Sequence, residues 1–325
     1  MATSYAYAVG SLRVRETALL TRADFEQLLA AGNVETLAAL LRDRGFGEPA
    51  GTDGIDGLLH RETEKLWDYL RSLTPEEGLW DAFWLRNDAH NCKTVLKGVL
   101  TGRSYERLLL TPATVPVRAL ETAAAERRFG ELPEWLAAAA AQAYDILAHT
   151  GDIPRGDAVI DRAAMEEMLR AAERTRISLL IRLMRATVFY HDVKIAIRAA
   201  RTGKDAAFLE LALCPCPGVE IADWKQAAIR GEEELLTLLE RLSDYDCRAA
   251  AEQYRAAPAA FEKWVDDYLL ATAREAKTVT LGAEPLIGYL MARETEIRAL
   301  HMLASGLRTG RSEAELRERM RMLYV

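Results

Sequence analysis

The sequence predicts an all-α protein made of three similar helical lobes. Three observations carry this. Helix-favouring Ala, Leu, Glu and Arg dominate the chain, apolar residues recur at helical spacing, and short signatures return about every 105 residues. The lobes are drawn at 1–110 (lobe 1 with N-terminal helices), 111–216 and 217–325.

The first helical signals lie near the N-terminus. Thr21 followed by Asp24 has the form of a capping box, with Asp in place of the usual Glu. Behind it, Phe25, Leu28 and Leu29 fall at i, i+3, i+4, and Leu37, Leu40 and Leu41 repeat the spacing. Met165, Met168, Leu169 and Ala172 extend it in the middle of the chain. The nearest thing to a strand, Thr111 to Val117, is interrupted by Pro112 and Pro116. Breaks are expected at 45–57, 112–116, 151–156, 214–218 and 282–285, where Gly and Pro gather.

The repeat has three parts. An apolar residue followed by Asp occurs at Ile55-Asp56, Ile160-Asp161 and Val265-Asp266, in two steps of 105 residues. About 30 residues later an acid or amide stands two before a base: Asn91-Cys92-Lys93, Asp192-Val193-Lys194 and Glu296-Ile297-Arg298. In the first two copies Asn91, Lys93, Lys97, Thr101, Gly102 and Arg103 align without gaps on Asp192, Lys194, Arg198, Thr202, Gly203 and Lys204. The third copy diverges after Arg298 and closes with Gly306 and Gly310. Finally, Phe25, Gly32, Glu35, Leu37 and Leu40 match Trp224, Gly231, Glu234, Leu236 and Leu239 at a constant offset of 199. A step of 105 is too long for a solenoid repeat and implies three related lobes about a pseudo-threefold axis.

Composition narrows the function. At 325 residues with 50% hydrophobic content the chain has ample core for two or three lobes. A net charge of -7 argues against a nucleic-acid partner. Four irregularly spaced cysteines do not make a disulfide framework and fit a reducing, cytosolic compartment. Residues 1–10 lack the basic and apolar regions of a signal peptide, and no run approaches the roughly 20 apolar residues of a membrane span.

Catalytic chemistry finds little support. Neither a phosphate loop nor a dinucleotide fingerprint occurs, no nucleophile–base constellation can be assembled, and no cofactor is expected. Asn87-Asp88-Ala89-His90-Asn91 resembles the metal-diphosphate motifs of all-α prenyl-chain enzymes, with Asp266-Asp267 as its acidic partner. A magnesium-dependent enzyme acting on a diphosphate is therefore the alternative reading. Lys93 and Lys97 crowd that motif, and acids at the start of a basic helix also complement its dipole. Cys214-Pro215-Cys216 lacks the spacing and companion ligands of a zinc site and reads as a tight connection. The basic rows stand out instead. Lys93 and Lys97 share one helix face, as do Lys194, Arg198 and Arg201. They and Arg298 are candidate partner contacts, unless neighbouring helices supply the acids that pair with them.

With the repeat established, the chain resembles the C subunit of the prokaryotic V/A-type ATPase, the counterpart of the eukaryotic d subunit. The resemblance rests on Tyr5-Ala6-Tyr7, Arg13-Val14-Arg15-Glu16 and Leu19-Leu20. It continues through Asp88-x-x-Asn91-x-Lys93-x-x-x-Lys97-Gly98, Ile160-Asp161, the Asp192 helix with Lys194, and Glu296-Ile297-Arg298. It spans essentially the whole chain. Asp192 and Glu296 stand where that family commonly has Asn, and Cys214-Pro215-Cys216 departs from its pattern. The resemblance implies a funnel of three lobes with no active site, peripheral on the cytoplasmic side of the membrane. It also implies a rotor part that couples the central-stalk subunits of D and F type to the membrane proteolipid ring.

Overall fold

The computed structural model describes residues 2–47, 54–74 and 76–325. They form sixteen α-helices and three short 3-10 turns, and among the described residues there is no strand beyond one isolated bridge between Cys216 and Val219. In chain order the first eight are α1 (Ala2–Glu16), α2 (Arg22–Leu29), α3 (Val34–Asp43), α4 (Ile55–Leu73), α5 (Asp81–Thr101), α6 (Val117–Glu126), α7 (Glu134–Thr150) and α8 (Ile153–Thr175). The others are α9 (Ser178–Thr202), α10 (Ala206–Ala212), α11 (Ile221–Arg230), α12 (Glu232–Arg241), α13 (Cys247–Ala256), α14 (Pro258–Arg274), α15 (Glu284–Arg308) and α16 (Glu313–Glu318). None of the described helices is long and apolar enough to cross a membrane.

The chain divides into two compact units, Met1–Glu76 with Glu252–Val325, and Glu77–Ala251. The first joins the two ends of the sequence. Its axis is α15, which is buried on most sides, polar Arg293, Thr295 and Glu296 included, and is covered by α1, α3, α4 and α14. The apolar residues read from the sequence at Phe25, Leu28, Leu37 and Leu41 meet Leu58 and Leu59 of α4 and Leu300 and Leu303 of α15 in one core. The capping box forms as expected: the Asp24 N–H donates to the Thr21 hydroxyl, and the Thr21 N–H donates to the Asp24 carboxylate at 2.9 Å.

In the second unit α5 lies against α8, and α8 also carries α7 and α9. Ala89, Cys92, Val95 and Leu96 of α5 meet Leu120, Leu136 and Ala140, with Ile160 and Ala164 of α8 completing the core. Two glycines expected in breaks lie inside helices, Gly57 in α4 and Gly156 in α8, and residues 48–53 of the first expected break lie outside the described residues. At Gly156 a Cβ would meet the Leu147 side chain at 2.9 Å, so this glycine serves close helix packing and not a break.

The repeat is visible in how the long helices stop. α5 and α9 end in Thr101-Gly102 and Thr202-Gly203, both glycines left-handed at φ 64°. α15 ends in Thr309-Gly310, with Gly310 at φ 69°. In each, the threonine hydroxyl donates to the carbonyl four residues back: Lys97 at 2.7 Å, Arg198 at 2.8 Å and Ser305 at 3.0 Å. The residue after the glycine then reaches the carbonyl five back: Arg103 to Gly98 (3.2 Å), Lys204 to Ala199 (3.0 Å) and Arg311 to Gly306 (3.0 Å). These bonds satisfy carbonyls that the helix end would leave orphaned. The Asp repeat is partly matched. Asp161 and Asp266 each stand ninth in their helix, behind a proline in its first turn, whereas Asp56 is second in α4.

Candidate functional site

The motif at residues 87–91 is a handle for a loop. Its side chains leave one side of α5 and hold the backbone of residues 108–115. The Asn87 amide donates to the Pro112 carbonyl at 2.7 Å, and a His90 ring nitrogen lies 2.8 Å from the Leu108 carbonyl. Asn91 makes a reciprocal pair with Leu110, donating to its carbonyl at 2.9 Å and accepting its N–H at 2.8 Å. Asp88 accepts the Thr114 hydroxyl and the N–H groups of Thr114 and Val115 at 2.6–2.9 Å. Burial raises the Asp88 carboxyl above the usual carboxylate range, while these donors pull it back down. Asp88 and Asn91 are fully buried, and their hydrogen bonds go to the 110–115 loop. Asp266 and Asp267, the proposed acidic partner, hold Arg321 at 2.9 Å and Lys263. The acids that a diphosphate enzyme would need for magnesium are thus engaged by the protein's own donors.

Asn91, Asp192 and Glu296, aligned in sequence, do the same work in all three copies. Each is buried on a long helix, and each accepts the backbone N–H of a loop: Leu110, Cys214 at 3.0 Å, and Leu20 at 2.6 Å. In the first two copies the loop follows the helix in sequence. In the third it is the segment before α2, at the far end of the chain. The three differ in charge. Among the described residues Asp192 meets only the Cys214 N–H, and burial drives its carboxyl up to about 8. Glu296 is raised to about 7 by burial, against the pull of Arg293 and the Leu20 N–H. Arg293 bridges Glu296 at 2.7 Å and Glu62 of α4 at 2.9 Å, and Glu62 in turn accepts the Gly47 N–H at 2.9 Å. The spacing of Arg293 and Glu296 at i, i+3 was a signal in the sequence, but nothing there marked Glu62 as the third member.

The basic residues divide by their surroundings. Lys93 reaches Asp161 at 2.5 Å and Lys97 reaches both oxygens of Asp157 at 3.1 Å, so both tie α5 to α8. Lys194 is half-buried on α9 beside His191, whose ring is pushed below the usual imidazole range by burial. Arg198 is exposed on α9. Arg298 is exposed on α15, 3.6 Å from Asp266 and 3.9 Å from Glu294. Cys214-Pro215-Cys216 connects α10 to α11, and the four cysteines are free and buried.

The model of a protein family described as ATP synthase (C/AC39) subunit matches residues 8–319. The chain is 24% identical to the C subunit of the V-type sodium ATPase of Enterococcus hirae, over 96% of this chain and 97% of the relative. It is 26% identical to the C subunit of a V-type ATP synthase of Thermus thermophilus, over 98% of each. It is 23% identical to the C subunit of the A-type ATP synthase of Methanocaldococcus jannaschii, over 93% of this chain and 82% of the relative.

Proposed function

Since the chain belongs to the ATP synthase (C/AC39) subunit family, we propose that it is the rotor part that couples the central stalk to the membrane proteolipid ring. It is a non-catalytic, peripheral subunit of a membrane-bound V/A-type ATPase complex. The finer reading gives it stalk subunits of D and F type on one side and the proteolipid ring on the other, at the cytoplasmic face. It also makes the chain the counterpart of the eukaryotic d subunit. The three repeats, drawn at 1–110, 111–216 and 217–325, then form lobes around one axis, a funnel whose socket receives a helical axle.

The observation that carries this reading is the threefold clasp at Asn91, Asp192 and Glu296. Three long helices, each stopped by the same cap and each fastened to a loop, make three stiff equivalents of one element. Torque transfer needs stiffness together with a lateral, reversible polar grip. Lys93, Lys97, Lys194, Arg198 and Arg298 are proposed for that grip. Arg198 and Arg298, which are exposed, act directly, while Lys93 and Lys97 act through the α5–α8 pairing.

Tagging the chain in its native membrane, solubilising it and identifying stoichiometric companions tests the reading. Proteolipid and stalk subunits are expected; their absence beside an intact, tagged chain overturns it. The grip is tested with Arg198→Gln/Arg298→Gln across a salt series, which leaves the Lys93 and Lys97 ion pairs alone. Weaker stalk binding with a flatter salt dependence is expected.

A further inference from the structure

We propose that the cleft between α2, α14 and the C-terminal segment is a binding site for a phosphate monoester with an apolar portion. The cleft lies wholly within the unit that joins the chain ends and has a volume of about 490 Å³, in the range of small-molecule sites. This inference does not depend on the rotor reading.

The chain as a whole carries a net charge of -7, yet five bases line this one cleft: Arg22, Lys263, Arg274, Arg317 and Arg321. The acidic side chains on its walls are Glu26 and Asp267, and Val325, the last residue of the sequence given, lines it too. Those acids are already engaged, Glu26 by Arg317 and Asp267 by Lys263. Arg321 is held by Asp266 at 2.9 Å. What is left over is Arg22, exposed at the first position of α2, and Arg274 in the last turn of α14. Among the described residues neither has a carboxylate at ion-pair distance, and the Arg274 guanidinium lies instead 3.6 Å from the Met322 thioether.

Two guanidinium groups in one cleft, neither with a carboxylate at ion-pair distance, suit a dianion. A phosphate monoester carries roughly -1.5 to -2 at neutral pH, with oxygens that accept paired N–H donors from arginine. A carboxylate brings about half that charge. The rest of the lining sets the other half of the ligand. Phe25, Leu29, Met320 and Leu323 give the cleft an apolar side that a bare inorganic anion would leave unused. Two sources share this chemistry, a soluble organophosphate and the headgroup of an anionic lipid.

The test uses the full chain. Calorimetry measures binding of inorganic phosphate and AMP, and sedimentation measures binding to phosphatidylcholine vesicles with and without phosphatidic acid. Each is repeated on Arg22→Gln/Arg274→Gln and on a control, Arg103→Gln/Arg107→Gln, whose residues are exposed in the other unit. The expected result is binding of AMP or of phosphatidic acid vesicles, stronger than that of inorganic phosphate or plain vesicles. It should weaken at least tenfold in the cleft variant and stay unchanged in the control. AMP binding identifies a soluble ester, and binding confined to vesicles identifies a lipid. No binding of either, or binding that survives in the folded cleft variant, overturns the proposal.

Discussion

The clasp on α5 and the clasp on α15 reach the same target, a loop N–H, by different chemistry. Asn91 is neutral, and one reciprocal pair with Leu110 satisfies it. Its loop lies 19 residues ahead. Glu296 brings a charge into the core, so it requires Arg293, and Arg293 in turn engages Glu62. Its loop, at Leu20, lies 276 residues away. A local closure needs only an amide. Fastening one end of the chain to the other draws α4, α15 and the N-terminal segment into a single ionic network. Such a network is a demanding arrangement, because a buried charge that loses its partner is strongly destabilising.

The largest effect should follow from removing the bridge. Arg293→Met takes the cation away from buried Glu296 and leaves Glu62 with Lys65 alone, and should lower stability by about 3–5 kcal/mol in urea unfolding. Asn91→Ala, which strands a loop N–H and carbonyl, should lower it by about 1–3 kcal/mol. Equal losses from the two variants would dissolve the distinction between the clasps.

The helix ends draw the contrast more finely. A Cβ on Gly98 would collide with the Tyr105 ring, whereas one on Gly306 would collide with a terminal methyl of Leu316. Leu316 is buried, but its clash is confined to one methyl that a rotamer change can move, whereas a Cβ on Gly98 meets three atoms of a rigid ring. Gly98→Ala should therefore lower stability by about 1–3 kcal/mol and Gly306→Ala by less, read from thermal or urea midpoints. The reverse order would show that α16 is the more rigid seat.

Asp192 falls between the two clasps, carrying an acid where Asn91 is an amide. Its folded-state value, about 8, lies above the ordinary 3.8. Its contribution to stability is complete below about 3.8 and is lost as pH rises towards 8, because the unfolded chain releases the proton first. Asp192→Asn keeps an oxygen for the Cys214 N–H and cannot ionise. Its stability should fall less steeply than the parent's between those limits, and it should be the more stable protein above pH 8. Parallel stability–pH curves would mean that Asp192 stays ionised in the fold.

The smallest effect is expected at the rim. Lys97 and Asp157 pair at 3.1 Å with side chains 35% and 29% exposed, so Lys97→Gln should lower stability by about 0–1 kcal/mol. A loss as large as that of Asn91→Ala would put this pair among the clasps.

What could be read directly from the chain is what depends on near neighbours. Apolar spacing at Phe25, Leu28 and Leu29, the Thr21–Asp24 cap and the Thr-Gly stops of α5 and α9 are local, because a helix is shaped by residues three to five positions apart. The repeat was legible too, since equivalent elements keep equivalent residues. Long-range packing settled the rest. It chose Leu20 as the third loop and Glu62 as the third member of its network, and paired Lys93 and Lys97 with α8. It also left Arg22 and Arg274 lining one cleft. A residue's charge is written in the chain, but whether that charge is buried, paired or left over depends on which helices meet, and those meetings join positions as far apart as 20 and 296.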